Sequence, residues 1–316
     1  MEDQSTGVSD VPMRRLALAA VVTNVVIVVT GGAVRLTGSG LGCPEWPTCE
    51  AGRVLPTASA QVAAWHQAIE FGNRVLTSVV LVVAAATLVA AWRLLPRRND
   101  IVRPAALLLA GVVAQGLVGG VTVLTGLNPL IVAGHFLVSI GLITAAVVLH
   151  HRVRSPAGPV RVVIRAELRH AQRVLLVVVA VVVTLGTLVT ASGPHAGDAN
   201  TPRLGLDPRV ISQFHADGVF LLLGLVIALW FALRATDAPA EPRRAATVLL
   251  GVALAQGTVG YVQYFTGLPE VLVGAHMLGA CLVWIATVRL WLGSTVRVPE
   301  GSEPDLAAVA DARTAA

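Results

Sequence analysis

Apolar residues fill long unbroken runs in this chain, and polar residues gather between them. The runs fall at about 16–34, 66–92, 104–125, 131–149, 174–192, 211–233, 244–265 and 271–292. Each is long enough as a helix to cross a hydrocarbon core of about 30 Å, so the pattern predicts eight membrane-spanning helices. No A-x-A-like cleavage site follows the first run, which is long for a signal-peptide core and reads as a retained anchor. Short connections such as Asn128-Pro129 and Pro269-Glu270 favour antiparallel neighbours.

The pattern also repeats. AQGLVGGVTVLTGL at 114–127 and AQGTVGYVQYFTGL at 255–268 are identical at nine of fourteen positions, and their offset of 141 carries His135 onto His276. Spans 1–4 and 5–8 each hold an even number of crossings, so the halves share one topology about an axis along the membrane normal. The expected fold is an all-α membrane protein with eight transmembrane helices arranged as two pseudo-symmetric four-helix bundles. Its parts are a first half at 14–150, a cytoplasmic linker at 151–173, a second half at 174–293, and a polar, Ala-rich disordered tail at 294–316.

Composition excludes a soluble domain: 55% of residues are hydrophobic and 13% charged, with a mean hydropathy of +0.75. The chain has no lysine, and its 23 basic residues are all arginine. Arg14 and Arg15 precede span 1, and further arginines lie between spans 2 and 3, 4 and 5, and 6 and 7, and after span 8. By the positive-inside rule these segments and both termini are cytoplasmic. The net charge of +5 is therefore topological, and arginines spread over every inner loop without a base-stacking motif argue against nucleic-acid binding. All-arginine basic content with abundant Ala, Val and Leu suggests a GC-rich genome, hence a bacterial plasma membrane.

Of the eight histidines, His150, His151, His170 and His195 lie in loop-like segments and read as ordinary polar residues. His66, His135, His215 and His276 mark the outer parts of spans 2, 4, 6 and 8. An ionisable side chain inside a span is costly and marks a functional site by default; its bland alternative is a neutral imidazole bonded to a neighbouring helix. Four such residues, two per half, favour bis-histidine ligation of a planar metal cofactor. Haem fits best, because facing imidazoles supply two axial ligands and apolar helices wall the macrocycle.

Two more constellations lie near the same end. In the first outer loop Cys43 and Cys49 flank a proline-containing turn on the oxidising side, where a disulfide can persist as a structural staple. Cys281, within span 8, reads as a packing residue. At the start of span 2, Glu70 lies four residues from both His66 and Arg74, so the three share a helix face. One reading is a Glu70–Arg74 ion pair. The other makes Glu70 a catalytic carboxylate, whose fixed charge stabilises a carbocation, and Arg74 a partner for a haem propionate.

These residues carry a resemblance. GGAVRLTGSGLGCPEWPTC in the first loop, EFGNR opening span 2, GHFL and GAHML in spans 4 and 8, and QFH in span 6 resemble the haem A synthases over about residues 14–293. The resemblance implies an oxidoreductase that converts a ring methyl of haem O to the formyl of haem A, by successive hydroxylations and loss of water, for terminal oxidase assembly. It implies haem b held by His215 and His276, and substrate haem O near His135 and Glu70. It also implies a disulfide or redox pair at Cys43 and Cys49, a haem O synthase as partner and an electron acceptor.

One position departs from the family pattern E-x-x-H-R, since Asn73 stands where the first-half ligand is expected. His66 lies seven or eight residues nearer the outer surface, roughly 10 to 12 Å along a helix. The first-half haem is then held by His135 alone, or by His66 as well if the helix end bends inward. A di-haem membrane cytochrome explains the histidines equally but has no use for Glu70 or the cysteines. A transporter would need polar helix breaks at midplane, and few occur.

Overall fold

The computed structural model describes residues 11–50, 52–56 and 63–298. Eight helices run in chain order: α1 (Val11–Leu36), α2 (Ala64–Trp92), α3 (Asn99–Leu124), α4 (Pro129–Val153), α5 (Ala166–Ser192), α6 (Pro208–Ala235), α7 (Ala240–Phe265) and α8 (Glu270–Gly293). All eight are long and apolar enough to cross a membrane, and the protein is a multi-pass membrane protein. Their 24 to 29 residues span roughly 36–44 Å at about 1.5 Å per residue, more than the hydrocarbon core. The excess is where arginines and caps sit.

Local chemistry sets the helix ends. Asn128 and Asp207 cap α4 and α6 by accepting from the backbone N–H groups of Leu130 and Arg209, each with proline at the first helical position. At the other end of the repeat, α3 and α7 stop in the same way. Gly126-Leu127 and Gly267-Leu268 both take positive φ, and the Leu127 and Leu268 N–H groups donate back to Thr122 and Gln263 at 2.8 Å each.

One buried cluster draws on α1 to α4, around Ala17, Ala84, Ala105, Leu108, Ala146 and Leu149. A second draws on α5 to α8, around Leu175, Val179, Leu229, Leu249 and Leu290. The alanines let the helices approach closely where lipid offers no hydrophobic drive to pack. A third cluster, with Val28, Ile143 and Cys281, joins α1, α4 and α8, and Trp284 Nε1 donates to Thr144 Oγ1 across that seam at 2.7 Å. Large apolar residues such as Val82, Leu107, Val177 and Phe231 stay exposed, as a lipid-facing surface requires.

Two boundaries differ from expectation. The linker expected at 151–173 is shorter, because α4 continues to Val153 and α5 begins at Ala166. Their polar turns extend past the apolar runs, with Arg152 and Arg169 reaching backbone carbonyls. The tail expected to be irregular from 294 instead begins with a strand, β2 (Thr295–Arg297). It pairs antiparallel with β1 (Val160–Val162) in the linker. Asp100 fastens this ribbon to the first half, accepting from Arg98 Nη2 at 2.9 Å and Arg297 Nη1 at 2.8 Å. The rest of the tail, 299–316, lies outside the described residues.

Candidate haem sites and the carboxylate loop

In the second half, α6 and α8 bring His215 and His276 together, their ring centroids 6.3 Å apart and their planes at 70°. Each imidazole leans on a glycine of the preceding helix. A Cβ on Gly186 would lie 3.2 Å from His215 Cε1, and one on Gly260 would lie 3.0 Å from His276 Cε1. His215 Nδ1 is also 3.0 Å from the Val182 carbonyl. A proton on Nδ1 donated there leaves Nε2 as a lone-pair donor.

Two further contacts recur between the halves. Gln256 Nε2 donates to the His276 carbonyl at 2.8 Å, and Gln115 Nε2 to the His135 carbonyl at 2.7 Å. His135 likewise faces a glycine, Gly119, at 3.6 Å from its Cβ position. Both glutamines and both glycines lie in the repeated fourteen residues, so the signal for them was present in the sequence. Position 120 shows why the copies diverge: Gly120 makes room for the Trp46 ring of the first loop, where the other copy has Tyr261.

The residues fit a haem. Among the described residues, Nδ1 of His135 and of His276 is buried without a hydrogen-bond partner, so at that atom neither ring is the helix-bonded imidazole of the bland reading. A metal–imidazole bond is about 2 Å, and the nitrogen lies about 1 Å from its ring centre, so two imidazoles sharing one metal hold their centroids about 6 Å apart. The His215–His276 spacing matches. No group of three His, Cys, Asp or Glu side chains able to hold a metal ion occurs among the described residues. A cofactor bringing its own equatorial donors therefore suits a two-imidazole site better than a bare ion. Gly260→Ala is expected to displace His276 and alter the absorbance of a bound haem. Gly257→Ala, with nothing within 4 Å of its Cβ position, should leave the spectrum unchanged and raise stability by up to about 1 kcal/mol.

At the first half's loop end the structure assembles a different device. Cys43 and Cys49 form a disulfide. The buried Glu70 accepts from the Cys43 N–H at 2.7 Å through Oε2 and from Arg74 Nη2 at 2.6 Å through Oε1. Arg74 Nη2 also reaches the Cys43 carbonyl at 2.7 Å, and Nη1 reaches the Glu45 and Thr48 carbonyls at 2.9 Å each. These bonds use every hydrogen on the two terminal nitrogens. Arg74 is thus the ion-pair partner of Glu70 and the clamp of the cysteine loop; its terminal nitrogens have no hydrogen left for a propionate. His66 lies about one turn before Glu70 on α2, with Nδ1 2.9 Å from Ser39 Oγ and its ring stacked on Trp65.

His195, expected to be an ordinary loop residue, has a structural job. Its Nε2 is 2.9 Å from the Leu268 carbonyl, and its own carbonyl accepts from Arg35 Nε. Arg35 Nη2 also reaches the Thr190 carbonyl at 2.5 Å. No local sequence signal pairs an α1 arginine with a loop about 160 residues away.

The COX15-CtaA family of cytochrome oxidase assembly proteins matches residues 14–202, from α1 through the loop after α5. The chain belongs to this family. Relatives named heme A synthase align with it. That of Methylobacterium radiotolerans is 29% identical over 338 aligned positions, covering 89% of this chain and 90% of that protein. That of Halalkalibacterium halodurans is 28% identical over 222, covering 66% and 72%. That of Lysinibacillus sphaericus is 33% identical over 138, covering 43% of each. The alignments to the Lysinibacillus protein and two Geobacillus relatives thus span less than half of those proteins. The COX15-CtaA match takes in Glu70, Arg74, both loop cysteines and His135, and stops before His215 and His276.

Proposed function

We propose that this chain is a haem A synthase: an oxidoreductase that converts the ring methyl of haem O to the formyl of haem A for terminal oxidase assembly. The observation that carries the reading is an asymmetry within a duplicated framework. Both halves present an imidazole on a glycine, backed by a glutamine. Among the described residues, only the first half adds a buried carboxylate. With Asn73 set against His215, Glu70 and Arg74 fall opposite Ser212 and Ala216, which can neither carry a charge nor clamp a loop. A two-haem relay needs no such difference; a pairing of one reacting haem with one resident haem does.

On this reading His215 and His276 hold haem b, which supplies one-electron redox chemistry when bound. Substrate haem O lies in the first half, with His135 at its iron. Glu70, fixed by Cys43 and Arg74, places negative charge where positive charge develops on the oxidised methyl carbon. The disulfide keeps the loop that orients Glu70 folded over the end of α2. Membrane lipid surrounds the whole, with both termini on the cytoplasmic side of a bacterial plasma membrane as the arginine distribution implies. A haem O synthase supplies the substrate; water supplies the formyl oxygen, and the conversion of methyl to formyl releases four protons and passes four electrons to an electron acceptor. The test is pigment extraction from membranes that express the chain beside a haem O source. Haem A supports the synthase, whereas haem O and protohaem alone would leave the di-haem cytochrome.

A further inference from the structure

We infer that the first-half haem site is one-sided, with His135 on one face of the porphyrin and the Asn73 carboxamide, which does not ligate the iron, on the other. The inference rests on the haem reading above and deepens it. Four glycines mark equivalent places on four helices, and one side chain leans on each. Gly260 receives His276, Gly186 receives His215, Gly119 receives His135, and Gly31 receives Asn73, whose Nδ2 is 3.8 Å from the glycine's Cβ position. Asn73 therefore occupies the structural place of His215. His66, bonded to Ser39 and stacked on Trp65, does not.

A second substitution accompanies the first. The alignment that sets Gly31 on Gly186 sets Thr30 on Leu185, and the Thr30 hydroxyl donates to Asn73 Oδ1 at 2.8 Å. The ligating half has a leucine beside a histidine bonded to a backbone carbonyl. The other half has a hydroxyl beside an amide, and that hydroxyl occupies the amide's oxygen. What remains of Asn73 toward the site is an N–H donor, and a neutral amide nitrogen has no lone pair to give a metal. The open face takes a small ligand with an acceptor atom, which Asn73 holds by a hydrogen bond.

Electron paramagnetic resonance and resonance Raman spectra of the detergent-purified protein saturated with protohaem test this. One low-spin, six-coordinate haem and one high-spin haem are expected. Imidazole should convert only the high-spin component. Asn73→His should convert it without added ligand, and Asn73→Leu should weaken azide binding there by about tenfold or more. His66→Ala should change neither component. Two low-spin haems in the unmodified protein, or loss of a component on removing His66, overturns this inference and leaves the haem reading intact. A protein that binds no protohaem overturns both.

Discussion

On the proposed function, His276→Ala is expected to abolish the low-spin haem signal of the purified protein and its haem A formation while leaving its helical content unchanged. The two second-half imidazoles lie 6.3 Å apart between ring centres, and among the described residues no third His, Cys, Asp or Glu joins them in a metal-holding group to take the place of one that is lost. Removing a partner that merely orients a ligand costs about 10–100-fold in metal affinity, and loss of the ligand itself should exceed that. His215→Ala should give the same spectrum, and the double variant should be no worse than either single one, since the pair acts as one unit. Absorbance and circular dichroism on the same samples check the result. A low-spin spectrum that survives either change would remove the second-half site from the proposal.

On the same reading, Glu70→Gln is expected to lower the rate of haem A formation by about 100-fold or more, the range for loss of a group aimed at transition-state charge. The amide keeps an oxygen to accept from Cys43 N–H, so the loop should stay in place. Glu70→Leu is more damaging. It strands the Arg74 guanidinium in a half-buried site, and breaking such a pair costs about 3–5 kcal/mol when fully buried, less here because the arginine side chain keeps 20% of its exposure. The rate at which a thiol reductant opens Cys43–Cys49 separates the two effects: slow in Glu70→Gln, fast in Glu70→Leu. If Glu70→Gln makes haem A at the unmodified rate, the carboxylate serves the loop alone.

The eight helices were legible because an apolar run of sufficient length has few other fates, and each run lies within a helix to about a residue. His135 and His276 were legible because the repeat carries them at a fixed distance. The Glu70–Arg74 ion pair was one of two readings open in the sequence, but the loop clamp was not: which carbonyls the guanidinium also meets depends on how residues 43–48 fold back on α2. The Asp100–Arg297 pair and the three-residue strand it anchors were hidden for the same reason, since their partners lie far apart in sequence and no periodic pattern marks them. The expectation of a disordered tail followed composition, which does not register one short pairing.

The two halves are joined at both ends at once. At the loop end Arg35 grips the Thr190 and His195 carbonyls and Gly40 N–H meets Gly197 at 2.9 Å; at the opposite end Asp100 holds Arg297. A rocking cycle would have to break one set of bonds on each stroke, so the latches at the two ends oppose the alternating motion that a transporter would need.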